Sequence, residues 1–175
     1  MSKFSTNPPQ IGSSINYNNP ITTGLYLCYP MNEQSGNTIY DLVGGRNLTL
    51  ANGPLYANQF GGGLFFDGSN DYAENTTLVT TLTALSVSVW VYRTSNFDGN
   101  YRKIFVIGDA GGNVSVYLSQ GSPSIYFGIG TTAGQNGPGF SITLPGNVWH
   151  HLVGTWNGSV ARLYLNGKLV ASQNI

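Results

Sequence analysis

Charged side chains are scarce in this chain of 175 residues. Asp, Glu, Lys and Arg together make up 8% of it, with seven bases, seven acids and a formal net charge of zero. This share is about a third of the usual one. Nucleic-acid binding requires several clustered cations, whereas the bases here are scattered along the chain from Lys3 to Lys168. We therefore expect no nucleic-acid partner.

Long apolar runs are absent as well. No run approaches the ~20 apolar residues that a membrane-spanning helix needs, so we predict no membrane span. Residues 1–9 lack the apolar central stretch of a signal peptide. If residue 1 is the native start, the protein is made in a host cytoplasm.

Cysteine is represented by Cys28 alone, so no disulfide can form within the chain. Cys28 stands in an apolar run, residues 25–29, where a buried and unreactive thiol is the favoured interpretation over a reactive one. A neutral chain without disulfides or a leader is more typical of virion components than of secreted host adhesins. We therefore expect a virion location, with an extracellular one as the alternative.

Helical periodicity is also missing, because no stretch of ten or more residues repeats its apolar side chains every 3.6 positions. We predict little or no helix. The chain has instead 24 glycines and short runs in which apolar and small polar residues alternate. Such alternation is typical of strands with one buried face. It occurs in residues 86–92, 114–119, 125–130 and 162–166.

Turn sequences separate these runs, and two of them are Asn-Gly pairs, at Asn157-Gly158 and Asn166-Gly167. Asn-Gly between alternating runs is the strongest short-range signal for a β-hairpin, because both residues tolerate a positive φ. The two pairs bracket one strand. Strands at this spacing predict an all-β sandwich or barrel.

Residues 1–24 form a distinct segment, rich in Asn, Pro and Ser and without either period. It has too few apolar side chains for a core of its own. Two interpretations stay open, a disordered leader and an arm that becomes ordered against a partner. Residues 25–175 then form the folded domain.

Four segments carry a family resemblance. They are residues 24–36 with Glu-x-Ser-Gly, residues 64–72 with Phe-Asp-Gly-x-x-Asp-Tyr, residues 85–91 with Trp-Val, and residues 148–167 with Trp-His-His. In this order they resemble the laminin-G-like, concanavalin A-like lectin and glucanase jelly-roll family. The resemblance implies a two-sheet antiparallel jelly-roll sandwich over residues 25–175, preceded by an extended amino-terminal arm.

The end of the sequence departs from that family. Its members usually continue with strands that close the sheet on the opening strand, whereas this sequence stops at Ile175 within a run of strand character. Either the sequence is a fragment that lacks its C-terminal closing strands, or another chain supplies the missing strand. An open edge is a template for strand pairing. We therefore expect protein partners at residues 1–24 and at this edge, in a homo-oligomer or a larger assembly.

Some relatives of this fold hydrolyse glycans, which requires two carboxylates about 5–10 Å apart. Glu33 and Glu74, the two glutamates, belong to different turn regions, and only Asp67 and Asp71 among the aspartates are close in sequence. No pattern places two acids on one face of a strand. We therefore predict that the protein is not an enzyme.

The two histidines, His150 and His151, are adjacent. In a strand they point to opposite faces and cannot hold one metal or one substrate together. No Gly-x-Ser-x-Gly motif accompanies them. We predict one histidine packed under the sheet and the other hydrogen-bonded at its surface.

Two oxygen-rich turns, residues 67–71 and 109–113, are candidate calcium sites. Calcium takes about six to eight oxygen ligands, commonly from loops. The resemblance adds relatives that bind calcium at loop clusters. The alternative is that these side chains bond their own backbone in turns. Both interpretations stay open for the candidate ligands Asp67, Asn70, Asp71, Asp109 and Asn113.

The alternating strands have one apolar face, which we predict to be the core, and one face of tyrosine and small polar residues. Aromatic rings among small polar neighbours suit stacking on sugars or docking a protein. The alternative is that Tyr and Ser are simply good strand formers, or that another part of the chain covers this face. We expect Trp90 to be buried, as the resemblance implies. The candidate ligand contacts are Tyr92, Tyr117, Tyr126, Tyr164 and Arg162.

These observations favour a non-catalytic recognition or structural module of a virion. It would serve as a head fibre, decoration or tail-associated protein with a lectin-like jelly roll, anchored through residues 1–24, with a glycan as a candidate ligand. The alternative is a carbohydrate-binding domain of a larger cellular or secreted protein.

Overall fold

The computed structural model describes residues 14–57, 62–76, 82–94, 100–108, 116–121, 124–131, 134–142 and 144–175. The chain divides into two compact units. Pro9–Leu78 is called the amino-terminal unit below, and Val79–Ile175 is called the sandwich unit.

Strands are the main regular structure of the described residues, and the one helical element among them is a 3-10 turn, Pro20–Thr22. All strand pairs are antiparallel. The predicted all-β fold is confirmed. The strands are β1 (Thr38–Ile39), β2 (Leu48–Ala51), β3 (Leu55–Tyr56), β4 (Leu64–Phe65), β5 (Tyr72–Glu74), β6 (Leu85–Tyr92), β7 (Arg102–Ile107), β8 (Val116–Gln120), β9 (Ser124–Thr131), β10 (Gly134–Asn136), β11 (Gly139–Ser141), β12 (Trp149–Trp156), β13 (Val160–Leu165) and β14 (Lys168–Asn174).

The amino-terminal unit contains a three-stranded sheet, β1-β2-β5, and the two-stranded pair β3-β4. Its described residues include 14–24, the second half of the predicted arm. There the Asn19 side chain caps the 3-10 turn by accepting from the N–H of Ile21, and the Tyr17 hydroxyl donates to the carbonyl of Leu42 at 3.0 Å. Residues 1–13 of the predicted arm lie outside the described residues.

A buried carboxylate, Asp41, organises the chain around it in the amino-terminal unit. It is 7% exposed. Burial by itself would raise the pKa of Asp41, but the hydrogen bonds it accepts from backbone N–H groups outweigh burial and hold that pKa below its usual value. The donors are the N–H groups of Cys28 (2.9 Å), Val43 (3.1 Å), Gly44 (3.0 Å) and Arg46 (3.2 Å).

The Cys28 side chain is half-buried and free. Burial, and after it the charge of Asp41, raises the pKa of its thiol. A raised pKa keeps the thiol protonated at neutral pH, and the thiolate is the reactive form. The interpretation of Cys28 as an unreactive thiol is supported, although the side chain is half-buried and not fully buried.

The sandwich unit consists of two antiparallel sheets. The β6 sheet has the order β14-β13-β12-β6, and the β9 sheet has the order β7-β8-β9, with β10 and β11 both paired to β9. Their inner faces share one apolar core, in which Gly154 of β12 leaves the space that the ring of Phe127 on β9 occupies. The predicted two-sheet antiparallel sandwich is confirmed as a fold, while its predicted extent over residues 25–175 stays a prediction.

Strand alternation places the core residues as predicted. The apolar face of β8 and β9 is completely buried, and that of β6 and β13 is buried or half-buried. Val114 of the predicted core lies outside the described residues. The buried members of this core are Val87, Val116, Leu118, Ile125, Phe127, Ile129, Leu144, Leu152, Ala161 and Leu163.

Both predicted Asn-Gly hairpins are confirmed. Asn157-Gly158 lies in the turn between β12 and β13, with Gly158 at φ 89°. Asn166-Gly167 joins β13 to β14 with φ values of 48° and 79°, as a tight two-residue turn requires. β14 lies at an edge of the β6 sheet, which confirms the strand character of the last residues. The partner expected at that edge stays a prediction.

In the part of the chain that the structure describes, no helix has the length and apolar character needed to cross a membrane.

Candidate functional site

Three tyrosines lie on the outer face of the β9 sheet. Tyr117 of β8 and Tyr126 of β9 point away from the core because their chain neighbours Leu118 and Phe127 are fully buried on the inner face. Tyr101 directly precedes β7, and its ring stacks beside that of Tyr126, with centroids 6.1 Å apart and planes at 29°. Tyr101, Tyr117 and Tyr126 are called the tyrosine platform below.

Each ring of the tyrosine platform lies above a glycine, which belongs to β9 or β11 or, for Gly121, directly follows β8. A Cβ on any of these glycines would collide with the ring, so the close approach of ring and backbone depends on the missing side chain. All three rings lean in the same direction across the sheet, from β7 toward β11. The pairs are Tyr101 over Gly121, Tyr117 over Gly128 and Tyr126 over Gly139.

The hydroxyls of Tyr101 and Tyr117 remain protonated at neutral pH because their pKa values are raised. The hydrogen bond with Tyr126 is the largest cause that raises the pKa of Tyr101, and the charge of Tyr126 adds to it. Burial, followed by the charge of Tyr126, raises the pKa of Tyr117. Tyr101 is 67% exposed, while the other two side chains are half-buried. The rings therefore present polar tips that both donate and accept hydrogen bonds.

A cation lies on the same face. Lys103 of β7 is exposed, and its Nζ is 5.2 Å from the centroid of the Tyr117 ring, within the range of a cation–π contact. In the sheet register Lys103 is opposite Ser119, and Ser119 is opposite Tyr126. The Ser119 hydroxyl is buried and has no hydrogen-bond partner among the described residues. The face thus combines aromatic rings, hydroxyls and one ammonium group.

Such a face suits ligands that are flat and hydroxylated. A tyrosine ring offers a large apolar surface at a small entropic cost, and its hydroxyl supplies a hydrogen bond at the edge. Sugar rings match both properties, since their C–H faces are apolar and their edges carry hydroxyls. Three rings that cross neighbouring strands, which are about 4.8 Å apart, form a row long enough for an extended ligand.

The predicted ligand residues do not share one face. Tyr117 and Tyr126 belong to the tyrosine platform, whereas Tyr92, Tyr164 and Arg162 lie on the outer face of the β6 sheet, on the opposite side of the sandwich. The interpretation of all five as one surface is wrong. Alternation assigns each side chain to a face of its strand, but the pairing of β6 with β12, distant in sequence, decides which sheet the strand joins.

The outer face of the β6 sheet has its own aromatic cluster. Trp90 stacks on His151, with centroids 4.8 Å apart and planes at 18°, and Tyr92 meets Trp149 edge to face at 5.4 Å. Trp90 is half-buried, so the expectation that it is a core residue is wrong. It stands two residues from Ser88 on the outer face of β6, and its partner ring shields it from solvent.

The two histidines are placed as predicted. His150 is buried, with Nε2 3.0 Å from the carbonyl of Pro145. His151 is at the outer surface, with Nε2 2.8 Å from the Ser88 hydroxyl, and burial lowers the pKa of its ring. No carboxylate belongs to the described residues of the sandwich unit, so nothing there orients His151 as an acid of a serine triad would.

The predicted calcium ligands Asp67, Asn70 and Asp71 lie in the turn between β4 and β5. Asp67 accepts from the N–H of Ser69 at 2.7 Å, and Asp71 accepts from the N–H of Asp67 at 3.0 Å. These are the backbone bonds that the alternative interpretation describes. Among the described residues, no three His, Cys, Asp or Glu side chains form a group that could hold a metal ion. Asp109 and Asn113 lie outside the described residues, and calcium stays a prediction.

The glutamates lie apart from the platform's strands in sequence. Glu33 accepts from the N–H of Tyr40 at 2.9 Å. Glu74 lines an open cleft of about 370 Å³ in the amino-terminal unit and is the one acid in its lining. The remaining lining residues are Asn47, Thr49, Asn75 and Thr76.

Sequence reasoning missed Tyr101, Lys103 and the role of the three glycines beneath the rings. The run that contains Tyr101 does not alternate, because a bulge between Lys103 and Phe105 shifts the register of β7 on β8. A signal did exist, since a glycine inside an alternating run, such as Gly128, often marks the close approach of another group.

Comparison with known proteins agrees with this architecture. A family model described as the concanavalin A-like lectin/glucanases superfamily matches residues 67–175. The crystal structure of residues 221–444 of an S-layer domain-containing protein from Clostridium thermocellum is similar, with 25% identity and a TM-score of 0.52. The likeness covers 84% of this chain and 71% of that one. A search of curated proteins found no match.

Proposed function

The chain belongs to the concanavalin A-like lectin/glucanase superfamily, and from this membership we propose that it is a non-catalytic recognition module that binds a polysaccharide on the tyrosine platform. One observation carries the proposal, namely the three tyrosine rings that lie over three glycines on one outer face. Because a glycine has no side chain, each ring can lie directly against the backbone, and the three rings together form a row of aromatic surface.

The polar groups around the rings support a sugar ligand over a purely apolar one. The Tyr101 and Tyr117 hydroxyls have a raised pKa and stay protonated. Together with the ammonium of Lys103 they supply donors at the edges of the rings. A few placed polar groups among aromatic surfaces are typical of small-molecule sites.

The distribution of acids supports a binding role without catalysis. Glycoside hydrolysis needs two carboxylates about 5–10 Å apart on opposite sides of the bond. The carboxylates of the described residues all belong to the amino-terminal unit, where Asp41 is engaged by four backbone N–H groups and Glu74 is the one acid of its cleft. The platform itself has aromatic and hydroxyl groups and an ammonium group.

Two biological settings are proposed for this module, a larger cell-surface or secreted protein and a virion. The likeness to a bacterial S-layer domain-containing protein supports a domain of a larger cell-surface or secreted protein. The virion role, as a head fibre, decoration or tail-associated protein, is supported by composition, with few charges and a single cysteine. Stable assembly of the purified chain as a trimer, or on particles, without any glycan would favour the virion role.

A glycan array followed by affinity electrophoresis tests the proposal. We expect the purified chain to bind at least one polysaccharide, and Tyr101→Ala to weaken that binding by about tenfold, because removal of one aromatic contact costs about 1–2 kcal/mol. Tyr101 is suited to the test because its side chain is exposed, so the variant keeps its core. Measurable turnover of the bound polysaccharide would contradict the non-catalytic assignment.

Tyr164→Ala is the matched control, since Tyr164 lies on the outer face of the other sheet. It should leave binding unchanged. If Tyr164→Ala weakens binding and Tyr101→Ala does not, the site lies on the β6 sheet and the platform assignment is wrong. Repeating the assay with calcium and then with EDTA tests the calcium prediction separately, because the described platform residues include no carboxylate that would ligate the ion.

A further inference from the structure

The charges of this neutral chain are divided unevenly along it. Residues 9–78 contain one base, Arg46, and five acids, whereas residues 79–175 contain five bases and two acids. The two acids of the second segment, Asp98 and Asp109, lie outside the described residues. The charged side chains among the described residues of the sandwich unit are therefore all bases.

One of these cations lies at the tyrosine platform. The Lys103 ammonium is 5.2 Å from the centroid of the Tyr117 ring, and Lys103 shares a cross-strand row with Ser119 and Tyr126. A cation–π contact keeps an ammonium group beside the ring, but the ring has no net charge and does not neutralise the ammonium. An anion beside the ring would form a charge-assisted hydrogen bond with Lys103, roughly twice as strong as a neutral one.

We infer that the polysaccharide bound by the platform is acidic, with a carboxylate or sulfate of a stacked sugar paired to Lys103. This inference rests on the proposed function and adds the class of its ligand. The Tyr101 and Tyr117 hydroxyls fit an anionic ligand, since they are neutral donors and do not repel it. A neutral sugar would gain stacking from the tyrosines but no ion pair.

Pairs of polymers that differ only in charge test the inference. Polygalacturonate and its full methyl ester share the same rings, and dextran sulfate and dextran share the same backbone. We expect the purified chain to bind the acidic member of at least one pair about tenfold more tightly. That preference should shrink as NaCl rises from about 0.05 M to about 0.5 M, because salt screens exposed charges.

Substitutions at Lys103 show whether this residue is responsible. Lys103→Gln should reduce the preference for the acidic polymer to within about threefold, and Lys103→Arg should retain it. Lys168→Gln is the control, because it removes one charge from β14 of the other sheet and should change nothing. Equal losses from Lys103→Gln and Lys168→Gln would mean that net charge, and not the platform, attracts the polymer, which overturns the inference.

The outcomes also separate the inference from the proposed function. If both members of every pair bind equally well and Tyr101→Ala weakens both, the ligand is neutral and the inference is wrong, while the platform remains the binding site. If no polymer, charged or neutral, binds to the chain, both are wrong.

Discussion

The ring of Tyr117 lies over Gly128, its direct partner across β8 and β9, in the space that a side chain there would fill. The pair joins a sequence feature, a glycine within an alternating strand, to a surface feature, a row of aromatic rings on the outer face of the β9 sheet. Aromatic residues that cover strand glycines also stabilise sheets. Binding and stability therefore have to be measured on the same variants.

Gly128→Ala should weaken polysaccharide binding about as much as Tyr117→Ala does. The new methyl group would collide with the ring and move it off its position, while the extended backbone at residue 128 accepts alanine, because its φ is not among the positive ones. We expect the free energy of unfolding to change by no more than about 1 kcal/mol. Affinity electrophoresis and urea unfolding measure the two quantities. Wild-type affinity in Gly128→Ala would show that the ring position does not matter.

Gly154→Ala should act on stability instead. Its methyl group would collide with the Phe127 ring in the core between the two sheets, and overpacking of this kind costs about 1–3 kcal/mol. Urea unfolding measures the loss. Because the two residues share one space, the double variant Gly154→Ala/Phe127→Leu should lose less than the two single losses added together. Additive losses would mean that the two side chains do not compete.

Asp41→Ala should destabilise the chain by about 3 kcal/mol, because four backbone N–H groups lose a charged acceptor. Asp67→Ala is the control, since its carboxylate is exposed and accepts one turn bond from Ser69. We expect that control to lose less than about 1 kcal/mol.

The stabilisation by Asp41 should also depend on pH. The pKa of Asp41 is lowered in the folded state, so its contribution to stability is present above about pH 4 and is lost as the pH falls through the folded pKa. Urea unfolding measured from about pH 7 to about pH 3 shows both the destabilisation by Asp41→Ala and the loss of the Asp41 contribution in acid.

His151 should make stability depend on pH in a higher window. Burial lowers the pKa of its ring below the unfolded value of about 6.5, so the unfolded chain takes up the proton first and stability falls as the pH drops through that value. The slope of stability against pH from about 7 to about 5 should be smaller in His151→Gln. An identical slope in both proteins would show that His151 is not responsible.

Much of the fold follows from local sequence. Alternation in β6, β8, β9 and β13 identified the buried faces, since a strand turns successive side chains to opposite sides. The two Asn-Gly pairs fixed the hairpins because few other residues adopt the positive φ found at Asn166 and Gly167. The buried faces and the two turns are determined by residues that are close together in the sequence, so they can be predicted from it.

The candidate site was predictable only in part, because it depends on pairing between distant segments. Tyr117 and Tyr126 were identified from their strands, yet nothing local shows that Tyr92 joins the other sheet through β12. Tyr101 was missed because the bulge after Lys103 breaks the alternation that would have revealed it. The sequence predicted to which face of its strand each side chain points. It did not predict which of the two sheets the strand joins.

NMR titration of the labelled chain with its best polysaccharide tests the site most directly, because chemical-shift changes report which residues the ligand contacts. We expect the largest changes at the ring signals of Tyr101, Tyr117 and Tyr126 and at the amides of β8, β9 and β11, with little change in β12 and β13. Changes confined to the outer face of the β6 sheet, around Tyr92 and Tyr164, would contradict the platform as the binding site.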